Sequence, residues 1–115
     1  MIRTAILVAA ALGALSMTTA AYAEDTIVGN WRTLEGDTAA VGHCGKGFCA
    51  TLKTGKYAGR QIGQFTGGNG SYVGLLTDPS ANKTYNGSGT VSGNALKLKG
   101  CVMKVFCQSQ TWTRL

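Results

Sequence analysis

Four cysteines grouped as two close pairs constrain this chain more than any other feature. Cys44 and Cys49 are separated by four residues, Cys101 and Cys107 by five. An even cysteine count in a short exported chain reads as a disulfide framework. Such a framework belongs to an oxidising compartment. It also helps a small domain whose core buries too little apolar surface to be stable by a wide margin.

The first residues read as an export leader. Arg3 supplies a positive start, Ala5 to Leu15 is apolar, and Ala21-Tyr22-Ala23 places small residues where a signal peptidase reads them. Cleavage is expected after Ala23. The apolar run, about 11 residues, is too short to cross a bilayer as a helix. No second apolar segment follows, and no cysteine ends the leader as a lipid anchor would require. The expected products are a signal peptide, residues 1–23, and one mature domain, residues 24–115. At about 90 residues the mature part is a single domain. The localisation implied is periplasmic, with secretion beyond the envelope open.

Eleven Lys and Arg against five Asp and Glu give a formal charge of +6, of which Arg3 lies in the leader. A basic exported protein can meet anionic envelope components. The lysines are spread along the chain, as solubility alone would have them. The densest run is Lys53, Lys56 and Arg60, with Tyr57 among them. It is too short for a nucleic-acid patch, so no nucleic-acid partner is expected.

The mature chain reads as all-β. One proline and 16 glycines punctuate short runs rich in Val, Ile, Thr and aromatics. Eight strands are expected: Ile27 to Leu34, Thr38 to Cys44, Phe48 to Thr54, Arg60 to Thr66, Ser71 to Thr77, Lys83 to Val91, Ala95 to Cys101 and Cys107 to Arg114. Gly67-Gly68-Asn69-Gly70 is the strongest hairpin signal, because these residues tolerate positive φ. In the seventh strand Leu96 and Leu98 alternate with Lys97 and Lys99, the period-2 mark of one dry and one wet face. No segment holds a helical period. Eight short strands with short connections must close on themselves or pack as two sheets to hide their edges. In a small antiparallel barrel of strands this short, the interior would be mostly filled and any cavity small.

On this map each cysteine pair flanks a hairpin loop, Gly45 to Phe48 in one case and residues 102–106 in the other. Residues at the ends of such a loop face one another within disulfide range. Local bridges, Cys44–Cys49 and Cys101–Cys107, are therefore expected over crossed ones. His43 beside Cys44 raises zinc, but the spacing matches no zinc signature. No metal or cofactor is expected. Neither pair has the Cys-x-x-Cys spacing of a redox site.

Catalytic signals are thin. His43 is the one histidine, and no serine sits in a nucleophile-elbow context. Glu35 and Asp37 share a turn, the ordinary place for exposed acids. No catalytic residue is assigned. Three Asn-x-Ser/Thr triplets, at Asn69, Asn82 and Asn86, read as turn chemistry.

Several segments carry a family resemblance. Gly29-Asn30-Trp31 opens the domain. Later come Asp78-Pro79, Lys83-Thr84-Tyr85, Leu96 to Cys101, and Gln110-Thr111-Trp112-Thr113-Arg114. In this order the chain resembles the exported bacterial domain-of-unknown-function family 2147, whose members are similar in fold to lipocalins. The cysteine pairs also resemble those of members. The family has no established activity, so the resemblance implies fold and export. Members carry a longer loop before the fourth strand; here it shrinks to Gly55 to Gly59. In lipocalin-like barrels a first-strand tryptophan closes one end and a last-strand arginine packs over it. The resemblance assigns these barrel-closing roles to Trp31 and Arg114.

Two function classes follow. The first is a monomeric binding module taking a small apolar ligand, or docking on an anionic envelope component. Phe48, Tyr57, Phe65, Tyr72 and Tyr85 are its candidate lining residues. The second is an enzyme of unknown chemistry. An inhibitor of an envelope-degrading enzyme such as lysozyme is a further alternative; the basic charge opposes it, since most lysozymes are basic too.

Overall fold

The computed structural model describes residues 25–102 and 106–115; the expected leader lies outside the described residues. Eight antiparallel strands form one closed barrel in chain order: β1 (Gly29–Arg32), β2 (Thr38–Cys44), β3 (Gly47–Leu52), β4 (Gln61–Gly68), β5 (Ser71–Asp78), β6 (Lys83–Ser92), β7 (Ala95–Val102) and β8 (Phe106–Arg114). Each strand pairs with its chain neighbours. The barrel closes where Trp31 meets Arg114 and Arg32 meets Thr113. Closure is the all-β solution that leaves no exposed sheet edge. Among the described residues no helix is long and apolar enough to cross a membrane.

The turns follow from local chemistry. Asn69 (φ 56°) and Gly70 (φ 84°) link β4 to β5, with Gly68 paired to Ser71. Positive φ at both central residues is the type I′ turn, whose twist matches that of the strands. At the β5–β6 connection the Asp78 carboxylate accepts hydrogen bonds from the Ser80 backbone N–H, 3.0 Å, and hydroxyl, 2.7 Å. The two strands reunite at Asp78 and Lys83.

Two expectations need correction. The first strand is shorter than Ile27 to Leu34. Val28 N–H bonds to Asp25 C=O at 3.0 Å, so residues 25–28 turn across the barrel end instead of extending the ladder. Thr33 and Asp37 bond to each other to make the β1–β2 turn. The β2–β3 loop is also tighter than Gly45 to Phe48. Cys44 pairs with Gly47, leaving a two-residue turn at Gly45-Lys46. Cys49 therefore lies opposite Gly42, and its disulfide with Cys44 runs diagonally, with Cα atoms 5.7 Å apart. Cys101 and Cys107 are direct partners across β7 and β8, with Cα atoms 4.0 Å apart.

Inward positions of successive strands build the core: Trp31, Ala39, Val41, Phe48, Ala50, Phe65, Tyr72, Leu96, Leu98 and Trp112 are buried. Lys97 and Lys99 face outward and are exposed, as the alternation on β7 requires. Both disulfides sit at outward positions, outside this core. Chain direction sets the two ends. The β2–β3, β4–β5 and β6–β7 turns share one end with residues 25–28. The other end carries the β1–β2 turn, residues 53–60, the β5–β6 connection, and the strand ends at Val102 and Phe106.

Candidate functional site

The end nearest residues 25–28 is sealed. The Arg114 guanidinium lies 4.3 Å from the Trp31 ring centroid. Its Nη2 donates to Thr26 C=O at 2.7 Å and Nη1 to Val28 C=O at 3.3 Å. Trp31 Nε1 donates to Ile27 C=O at 3.0 Å. Two side chains from opposite edges of the closure seam thus hold one strap of backbone. The Tyr72 hydroxyl donates to the Asp25 carboxylate and lies 3.1 Å from Thr26 Oγ1. Burial, then the hydrogen bond to Asp25, raises the Tyr72 phenol above its ordinary pKa of 10.0.

The opposite end is open. A cavity of about 650 Å³ runs from the rim down to Leu98 and Trp112. Leu52, Ile62, Leu76 and Leu98 supply apolar wall from four strands. Tyr57, Tyr85 and Trp112 add aromatic faces. Gln108 and Gln110 project from β8 into the same space, and Gln110 Oε1 accepts from Trp112 Nε1 at 2.8 Å. The interior is therefore emptier than expected. Gly100 contributes no side chain, and a methyl there would only touch Leu76 Cδ1 at 3.6 Å and Tyr85 Cβ at 3.8 Å. A volume of this order suits a small organic ligand, whose sites span about 300–1,000 Å³.

The rim carries charge and exposed apolar surface. Glu35 and Asp37 lie in the β1–β2 turn, Asp78 at the end of β5, and Lys56 in the short loop after β3. Lys56 Nζ stands 5.7 Å over the Tyr57 ring. The hydrogen bond from the Ser80 hydroxyl, helped by the Ser80 backbone N–H, holds the Asp78 carboxyl below the ordinary range. Leu34 and Phe106, 68% and 74% exposed, stand at the mouth.

The five candidate lining residues divide between the two ends. Tyr57 and Tyr85 line the cavity. Phe48, Phe65 and Tyr72 do not; they pack in the core, with Phe48 and Tyr72 edge to face at 5.6 Å. Phe48 and Phe65 also border a shallower depression of about 340 Å³ on the outer wall, with Val73 and Leu75. The His43 ring packs tilted against Phe48 with centroids 5.1 Å apart, away from the cavity. The alternation reading did not find Gln108, Gln110, Leu34 or Phe106. Among the described residues, no group of three His, Cys, Asp or Glu side chains could hold a metal ion.

Geometry and bonding define a class: a small closed antiparallel barrel with one sealed and one open end, cross-linked by two disulfides. All four cysteines are paired, which suits an oxidising, extracytoplasmic compartment. Residues 50–114 match the family described as "Uncharacterized protein conserved in bacteria (DUF2147)", and the chain belongs to that family. No curated protein and no solved structure matches the chain.

Proposed function

We propose that this protein is an exported, periplasmic binding module that takes a small ligand with an apolar body into the open end of its barrel. The observation that carries this reading is the asymmetry of the two ends. One is closed by Trp31, Arg114 and the strap at residues 25–28, and the other holds the cavity of about 650 Å³. Apolar wall left facing solvent is costly, at about 25 cal/mol per Å², unless something covers it. Gln108, Gln110 and Tyr85 are the polar groups that would orient a guest among the leucines.

The test is native mass spectrometry of the protein purified from its own envelope fraction, beside a Gly100→Phe variant that fills the cavity from the β7 wall. Wild type should carry added mass that the folded variant lacks. Repeated absence of added mass from wild type, or equal retention by the variant, overturns the reading.

A further inference from the structure

The charge around the mouth runs against the charge of the chain. The protein is +6 overall, yet three of its five acidic residues, Glu35, Asp37 and Asp78, line this one cavity. Lys56 is the one cation among its described lining residues. The topology spreads these carboxylates. In a closed eight-strand barrel in chain order, the β1–β2 turn and the β5–β6 connection stand across the mouth from each other. A guest entering the cavity passes between carboxylates on both sides. The Ser80 hydrogen bonds keep Asp78 in its charged form.

A second set of groups favours the same sign. Tyr85 and Trp112 line the cavity, and aromatic faces attract cations through the ring quadrupole; the Tyr57 ring already carries Lys56 Nζ at 5.7 Å. Leu52, Ile62, Leu76 and Leu98 offer a purely apolar wall between the mouth and Trp112 at the floor. The Gln108 and Gln110 amides carry no charge to oppose an anion or a cation.

Resting on the reading of the barrel as a binding module, we infer that its ligand is an organic cation with an apolar body, an amine- or quaternary ammonium-headed amphiphile. The body lies along the leucine wall, and the head stays near the mouth between Asp37 and Asp78. An anionic amphiphile of the same shape would meet an excess of like charge at the rim, three carboxylates against Lys56, although the protein as a whole attracts it.

The test is calorimetric titration of the protein, both disulfides intact, with decyltrimethylammonium, decanoate and decanol, each below its micelle-forming concentration. The ammonium compound should bind about tenfold more tightly than decanoate, the scale of one or two partly screened carboxylate contacts. Added salt should shrink that preference, because the rim is exposed to solvent. The Glu35→Gln/Asp37→Asn/Asp78→Asn variant should lose it while still binding decanol. If the triple variant does not fold, Glu35→Gln alone should reduce the preference, and the salt response still decides. Equal binding of all three probes, or tighter binding of decanoate, overturns the cationic inference and leaves the binding module standing. Binding of none of them by folded protein overturns both.

Discussion

Arg114, on the last strand, lies over Trp31, on the first, with the guanidinium carbon 4.3 Å from the ring centroid. The two are also direct partners in the β1–β8 ladder. That ladder is the shortest seam of the barrel, with only two residue pairs. The stacked pair and the hydrogen bonds from both side chains to residues 26–28 reinforce it.

Trp31→Ala should therefore be among the most damaging single substitutions. It removes a fully buried indole and the platform under Arg114, at a cost of about 3–5 kcal/mol. Arg114→Lys keeps the charge but loses the forked donors that reach Thr26 and Val28, and should cost less. Thermal unfolding of both variants checks this. An unchanged melting temperature for Trp31→Ala would refute the role of the seam.

The disulfides act on the scaffold. Each closes a loop of about six residues, so removing either should cost about 2 kcal/mol by chain entropy. Cys101–Cys107 joins direct partners on β7 and β8, the hairpin whose far end carries Trp112 and Arg114. Replacing both cysteines of that bridge with serine should lower the melting temperature by roughly 8–16 °C, the scale for a domain of this size. Peptide mapping without reductant should recover Cys44 joined to Cys49.

Much of this architecture is legible in the sequence, and the misses have a physical pattern. Turn residues punctuate the strands, so β2 was expected at its observed bounds, and β5 to β8 start or end within a residue of expectation. The cavity was not legible. Phe48 and Tyr57 are both aromatic, and only the direction of the strands puts one in the sealed core and the other at the open end. Gln108 and Gln110 are polar, and polarity on a strand suggests an outward position. They share parity with Trp112 and Arg114, which was the available clue. The strap at residues 25–28 carries no motif. Its role arises from side chains of Tyr72 and Arg114, 46 to 88 residues away.

Tyr72 makes the sealed end sensitive to alkali. Its phenol is raised above 10.0 in the folded protein, so the unfolded chain loses that proton first. The stabilisation is complete below pH 10.0 and is lost as the pH rises through the folded value. Lysines titrate in the same range, so the measurement is a difference. Wild type should lose more stability above pH 10.0 than Tyr72→Phe does in denaturant titrations. Parallel curves for the two proteins would refute the linkage.

Two glycines on neighbouring parts of the wall should respond in opposite ways to the same change. A methyl group at Gly74 would collide with the backbone carbonyl of Gln64, on the paired strand β4. Backbone held in a ladder cannot move aside as a flexible side chain can, so Gly74→Ala should cost about 1–3 kcal/mol. At Gly100 the nearest atom to such a methyl is Leu76 Cδ1, at an ordinary contact distance of 3.6 Å, and the group points into the cavity. Gly100→Ala should change stability by no more than about 0.5 kcal/mol, because the lost backbone freedom of glycine offsets the added bulk. Thermal unfolding of the pair separates the two cases. Strong destabilisation by Gly100→Ala would mean that the β7 wall is packed and that the open end holds less room than its lining implies.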